Sequence, residues 1–288
     1  MRPSPFASIL LVLSTAMVVT ADDDLVKRHY LALGDSVTFG FIVQAGWEYY
    51  NPTNFVGFPD YIAAALKLST SNAACPGETT GSFLSSDAPD NGCRSFRRGG
   101  PLRPGLPLHV SYPVTMTQLD YAISFLKSHP KTRLVTIGLG ADDVFLLQAA
   151  CQNVSSCVTE GLPTVLENVR VNLHTILSDL RSTGFRGRIV VVNYYSTDYT
   201  DHDLTAITSA LNEALAAATE DADAVVADVF TAFYTATASR GGSPCGVGLL
   251  NASPQNQFLC DIHPSQSGHA LIAQTVEQAV ATAGEGRR

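Results

Sequence analysis

The sequence predicts an α/β fold, a parallel sheet with helices packed on both faces. Three observations carry that expectation. Short apolar, β-branched runs alternate with longer segments of helical periodicity along most of the chain. Two of the short runs, residues 188–194 and 224–229, are apolar almost without a break. That composition suits strands covered on both faces, not on one. Glycine-containing turns follow several of the strands, on the side where such sheets bind ligands.

The elements follow in order. Residues 29–33 read as a strand, and 58–68 as a helix with Pro59 near its start. Residues 71–75 suit a short second strand. Residues 117–128 form an amphipathic helix stopped by Pro130, and 133–137 a strand running into Gly138 and Gly140. In 162–182 the apolar residues Val165, Leu166, Val169, Leu173, Ile176, Leu177 and Leu180 recur at helical spacing, and Gly184 ends the run. Residues 188–194 are a strand, 204–219 an Ala-rich helix, 224–229 a strand and 267–283 the closing helix. Two stretches, 82–113 and 237–260, are rich in Gly and Pro and fit neither period. They read equally as functional walls or as disulfide-pinned excursions.

The 288 residues are 45% hydrophobic and 15% charged, enough apolar material for a large core. Lys+Arg number 18 against 26 Asp+Glu, a formal net charge of −8. A net acidic chain without a basic cluster excludes nucleic acid and anionic membrane surfaces as natural partners. Nothing in the sequence points to an oligomer, so a monomer is expected.

The N-terminus reads as a secretory signal peptide. Arg2 precedes an apolar stretch from Phe6 to Val19, and Val19 and Ala21 put small residues at the positions a signal peptidase inspects. The competing reading is a buried or spanning helix, but the run falls short of the ~20 residues a span needs. The expected organisation is a leader over 1–21 and one domain over 22–288, secreted to the extracellular space or periplasm. The cysteine content agrees. Cys75, Cys93, Cys151, Cys157, Cys245 and Cys260 all lie beyond the leader. Six cysteines allow 15 pairings. Local loop closure favours Cys75–Cys93, Cys151–Cys157 and Cys245–Cys260. There is no Cys-x-x-Cys or His-Glu-x-x-His, so no metal site is expected.

Chemistry is expected just after the strands. Gly34-Asp35-Ser36-Val37-Thr38-Phe39-Gly40 puts a serine at the end of the first strand, where a helix begins and free N–H groups can face an oxyanion. A serine needs a neighbouring base. Asp261-Ile262-His263-Pro264 supplies a histidine beside an acid, in a predicted loop before the last helix. His269 reads as a packed residue of that helix, and His129 and His202 as surface residues. Gly77 follows Pro76 and offers a backbone N–H to a cleft. Gly140-Ala141-Asp142-Asp143 also falls on the ligand side.

Four segments in this order resemble the SGNH hydrolases, the GDSL-type esterases and lipases: Gly-Asp-Ser-x-Thr-x-Gly at 34–40, Asn-x-Ala-Cys-Pro-Gly-Glu-Thr at 72–79, Gly-Ala-Asp-Asp at 140–143 and Asp-Ile-His-Pro at 261–264. The resemblance implies a flavodoxin-like three-layer α/β/α sandwich and an ester hydrolase without metal or cofactor. It makes Ser36 the nucleophile and His263 the base, with Ser36 and Gly77 N–H groups in the oxyanion hole.

The chain departs from the family pattern twice. The third block normally reads Gly-x-Asn-Asp, its asparagine donating to the oxyanion; here the position is Asp142. An ionised aspartate only accepts hydrogen bonds, whereas a buried neutral one donates. The family's acid lies three residues before the histidine, where this chain has Cys260. Asp261, two before, or a backbone carbonyl near Cys260 is left to orient His263.

The substrate is expected to be a small-molecule, lipid or acylated-sugar ester. Trp47, Tyr49, Tyr50, Phe55 and Phe58 are candidates for an acyl pocket, and Arg94, Arg97, Arg98 and Arg103 for attracting an anionic leaving group. The alternatives are a binding protein that keeps the fold, favoured by Asp142, and an acyltransferase using the same residues. Asn153 and Asn251 open N-glycosylation patterns, relevant only in a host that glycosylates.

Overall fold

The computed structural model describes residues 28–43, 51–98, 107–253, 255–256 and 259–285. The leader, Trp47, Tyr49, Tyr50 and Arg103 lie outside them. In chain order the elements are β1 (His29–Gly34), α1 (Ser36–Phe39), α2 (Phe58–Leu66), β2 (Ser69–Asn72), α3 (Thr80–Leu84), α4 (Cys93–Arg98), α5 (Gln118–Ser128), β3 (Thr132–Gly138), α6 (Ala141–Ala150), α7 (Ser155–Ser182), β4 (Arg188–Val192), α8 (His202–Thr219), β5 (Val225–Ala227), α9 (Val229–Thr237), β6 (Leu250–Ala252), β7 (Cys260–Pro264) and α10 (Gln266–Glu285).

Five parallel strands form the central sheet in the order β2-β1-β3-β4-β5. This is the flavodoxin-like order, and the chain reverses direction across the sheet between β1 and β3, where such folds hold their ligands. The alternation of each strand builds two cores. Leu31, Leu33, Val135, Ile137, Ile189 and Val191 face α5, α7 and α8. Tyr30, Ala32, Leu134, Val190 and Val192 face α2, α9 and α10. The result is the three-layer α/β/α arrangement.

Local chemistry starts the helices. The Thr117 and Asp201 side chains accept from the backbone of the first turns of α5 and α8, at Asp120 and Leu204. Asp60 returns a carboxylate to the Gly57 N–H at the head of α2. Helix α7 begins seven residues before the expected start and carries Pro163 inside it. The Cys151–Cys157 disulfide ties its first turn to the end of α6.

Several expectations are corrected. The second strand is Ser69–Asn72, not 71–75, although Ala73 and Cys75 still donate to Ala32 and Gly34 of β1. The strand expected over 224–229 stops at Ala227, because Asp228 caps α9 by accepting from the Thr231 N–H. Helices α6 and α9 were not expected at all. Nor was the antiparallel ribbon of β6 and β7, which converts the predicted loop around His263 into a strand. Disulfides join Cys75–Cys93 and Cys245–Cys260 as well, the latter fastening the start of β7. No described helix is long and apolar enough to cross a membrane.

Candidate active site

The ends of β1 and β3 meet closely. Gly34 has φ 139°, and a Cβ there would lie 2.0 Å from the Gly138 carbonyl oxygen, so only glycine fits. Gln118 grips the same residue, accepting from its N–H (2.6 Å) and donating to its carbonyl (3.0 Å). Asp35 follows, buried, and caps α1 by accepting from the Val37 N–H at 2.9 Å. Its other oxygen accepts from the Tyr194 hydroxyl. Burial pushes the Asp35 carboxyl up to about 6.

Ser36 is the first residue of α1. Its Oγ lies 2.9 Å from His263 Nε2, and His263 Nδ1 lies 2.8 Å from Asp261 Oδ2. With Nδ1–H donating to the carboxylate, Nε2 is left as an acceptor for the serine hydroxyl. The strand geometry explains how an acid two residues away serves. Successive side chains of β7 point to opposite faces, so Asp261 and His263 share one face. Asp261 Oδ1 is occupied by the Ile262 N–H, and the Ile262 carbonyl accepts from the Tyr195 hydroxyl at 2.6 Å. The Phe41 ring packs edge-on against the imidazole, with centroids 5.1 Å apart. Of the two partners open to His263 from the sequence, the geometry provides the Asp261 carboxylate.

Asp142 is the second residue of α6 and is buried. Burial first, then the Asp35 charge, holds its carboxyl well above the usual carboxylate range. Its Oδ1 accepts from Asn91 Nδ2 at 2.8 Å. Asp143 instead turns away and clamps Thr80, accepting from its N–H and its hydroxyl. Glu78 is buried beside the Cys75–Cys93 disulfide and accepts from Ser82 and Gln118; burial pushes it up to about 7. Cys75, Glu78 and Cys93 cluster closely, but both sulfurs are spent in the disulfide and offer no thiolate to a metal.

Ser36 and Asp142 line one cavity with Asp35, Tyr194 and Tyr195. Its remaining wall is largely apolar and includes Val37, Val144, Phe145, Ile207, Leu211 and Ile262. Gly77 is not part of this wall. It has φ 84°, a Cβ there would lie 2.5 Å from the Asn91 carbonyl oxygen, and its own carbonyl accepts from the Asn91 N–H at 2.8 Å.

Other sequence candidates fall elsewhere. Phe55 is fully buried against Phe39 and Phe41, and Phe58 in the core beneath α2 and α10, so neither lines the cavity. Their apolar surface is worth more in the core than at a site open to water. Arg94 is held by Asp90 and by the Ser86 and Ala88 carbonyls. Arg97 lies over the Tyr112 ring and donates to the carbonyls of Tyr112, Pro113 and Met116. These two arginines are structural, while Arg98 is exposed. His269 is buried, its Nδ1 accepts from the Phe58 N–H, and burial drives it down to about 3. His202 is exposed, but His129 is half-buried, stacked on Phe125 at 4.1 Å.

The sequence reading missed Asn91, the two tyrosines and the α6 and α8 walls. The tyrosines had a usable signal, since Tyr194 and Tyr195 directly follow a strand on the ligand side.

A hydroxyl, an imidazole and a carboxylate joined in series at the switch point of a flavodoxin-like sheet form a site suited to acyl chemistry. The chain belongs to the GDSL-like lipase/acylhydrolase family, whose model matches residues 32–271. Among solved structures it is similar to a phospholipase A1 from Streptomyces albidoflavus, at 18% identity and a TM-score of 0.57, covering 88% of this chain and 100% of that one. It is also similar to Axe2, an acetylxylan esterase from Geobacillus stearothermophilus, at 14% identity and a TM-score of 0.51, covering 88% and 94%. The lipase Lip_vut3 from a goat rumen metagenome is 16% identical with a TM-score of 0.51, covering 88% and 97%. At these identities the likeness is one of fold. No match was found among curated proteins.

Proposed function

We propose that the protein is an exported serine esterase that hydrolyses carboxylic esters bearing an apolar acyl chain. The observation that carries this reading is the continuous chain Ser36–His263–Asp261. His263 Nε2 takes the Ser36 proton as Oγ attacks the ester carbonyl carbon. The N–H groups of Ser36 and Gly77 and the acid O–H of Asp142 stabilise the oxyanion. His263 then gives its proton to the departing alkoxide, leaving the acyl group on Ser36. It next takes a proton from water, whose oxygen attacks the acyl carbon, and the Ser36 alkoxide is reprotonated as the acid leaves. The apolar wall beside Ser36 supports an alkyl chain longer than acetyl.

Hydrolysis of p-nitrophenyl esters of increasing chain length, from pH 4 to 9, tests the reading. We expect Ser36→Ala to remove turnover to the background level and the wild-type rate to favour chains longer than acetate. Turnover that survives Ser36→Ala sinks it. The acidic Asp142 is the feature that favours a second reading, a binding protein that keeps the fold. A folded protein with no turnover on any ester supports that alternative. Acyl transfer to an alcohol or sugar uses the same side chains and is distinguished by adding such an acceptor.

Export rests on the leader and on the three disulfides. The mature chain over 22–288 is read as one domain. When the full chain is expressed in a secreting host, N-terminal sequencing of the medium protein should return Asp22 first. Retention of the leader would refute export by this route.

A further inference from the structure

Asn91 lies in the loop closed by the Cys75–Cys93 disulfide. Its backbone N–H donates to the Gly77 carbonyl at 2.8 Å. Its side-chain Nδ2 donates to Asp142 Oδ1, also at 2.8 Å. One residue therefore bridges the two segments that supply oxyanion donors. We propose that Asn91 is a positioning residue that fixes which oxygen of Asp142 carries the acid proton. Its amide N–H takes a lone pair of Oδ1 and leaves Oδ2 as the O–H for the cavity that Asp142 shares with Ser36. This rests on the reading of Ser36 as nucleophile.

A neutral carboxyl has one good acceptor, the C=O oxygen, and one donor, the O–H. An N–H aimed at Oδ1 selects Oδ1 as the acceptor. The same geometry then suits a primary amide, whose Nδ2 would stand where the acid O–H stands. Asn91 thus lets an acid do the work of an amide. The surroundings keep the acid neutral. Asp35 faces it from the end of β1, Glu78 from the segment after β2 and Tyr194 from the end of β4; the Asp143 charge acts on it from the next position of α6, though its carboxylate is bound to Thr80, and His263 on β7 faces Asp35. Carboxyl neighbours and burial oppose ionisation, and Asn91 alone among the leading influences favours it.

The test is the pH dependence of kcat and KM on p-nitrophenyl butyrate, using the full chain with its disulfides intact. Wild type loses rate as pH rises and Asp142 ionises. Asn91→Ala should lower the plateau kcat about tenfold, the worth of one oriented hydrogen bond, with KM within about twofold. Its alkaline limb should move to higher pH, because the donor favouring ionisation is gone. Asn91→Asp preserves shape but replaces the donor with an acceptor, so it should lose more. Asp142→Asn replaces the titrating donor with an amide and should abolish the limb, and adding Asn91→Ala to it should lower kcat without any limb returning. A rate loss at every pH with the limb unmoved makes Asn91 a structural prop and overturns the proposal. Unchanged kcat and limb overturn it as well. Turnover that Ser36→Ala leaves intact overturns the esterase reading, and this inference with it, and is a distinguishable result.

Discussion

Asp261 has both carboxylate oxygens committed, one to the Ile262 N–H and one to His263 Nδ1. That double attachment holds the imidazole without help from a longer-range acid. Asp261→Ala frees the ring to turn and removes the charge that stabilises an imidazolium. We expect kcat to fall by about 10²–10⁴ with little change in KM, short of the loss in Ser36→Ala. A loss below about threefold would mean that another group orients His263. The sequence offered Asp261 and a backbone carbonyl as rivals because it placed His263 in a loop. In a loop nothing fixes which neighbour faces the ring. In a strand the period of two decides, and residues 261 and 263 share a face. Asn91 was illegible for a different reason. Its backbone contact closes the Cys75–Cys93 loop onto Gly77, and its side-chain contact reaches across the fold to a residue 51 positions away. No local pattern encodes such a pair.

At the scale of elements, the sequence was most readable where composition and burial coincide. β3 and β4 are buried along most of their length, and their β-branched residues announced them. The helices of the outer layers carried apolar stripes or side-chain caps. What escaped were short pieces held by distant partners. α6 opens with Ala141-Asp142-Asp143 straight after Gly140, and the pair of acids reads as a turn until Thr80 and Asn91 are seen to bind them. α9 contains Phe230, Thr231, Phe233, Tyr234 and Thr235, residues that favour strands, and becomes helical under the Asp228 cap and the burial of Phe233. β6 and β7 are too short to show alternation, and the Cys245–Cys260 disulfide fixes their place. The serine segment was legible as chemistry because it sits where topology puts ligands. The apolar cavity wall was not, because most of its residues come from α6 and α8, whose surfaces come together around the cavity only in the folded chain.

The molecule as a whole buries an unusual set of titratable groups, and their balance sets its response to pH. Asp35 and Glu78 are raised by burial to about 6 and about 7, each from an ordinary carboxylate value. A carboxyl whose folded pKa lies above its unfolded value stabilises the fold at low pH and loses that contribution as pH rises towards the folded pKa. Each of the two shifts corresponds to about 3 kcal/mol, lost between roughly pH 4 and pH 7. Asp142 and Asp143, also raised, act in the same direction. His269 opposes them. Buried and driven down to about 3, it favours the folded state at neutral pH and destabilises it by about 5 kcal/mol in all as pH falls from 6.5 to 3. Between pH 4.5 and 6.5 several carboxyls act against one histidine, so stability should rise as the solution is acidified. The net charge of −8 shrinks over the same range and adds to that trend. Below about pH 4 the unfolded carboxyls are protonated too, and the fold loses stability through His269 together with Asp228, whose carboxyl is held below its ordinary value. The melting temperature should therefore climb from pH 8 to a maximum near pH 4 and fall below it, with an alkaline penalty on the order of 10 °C. His269→Gln should flatten the acid limb and leave the alkaline one in place. A wild-type maximum at pH 7 or above would show that the buried carboxyls are not held neutral, and would also remove the acid form of Asp142 on which its proposed role as a donor depends.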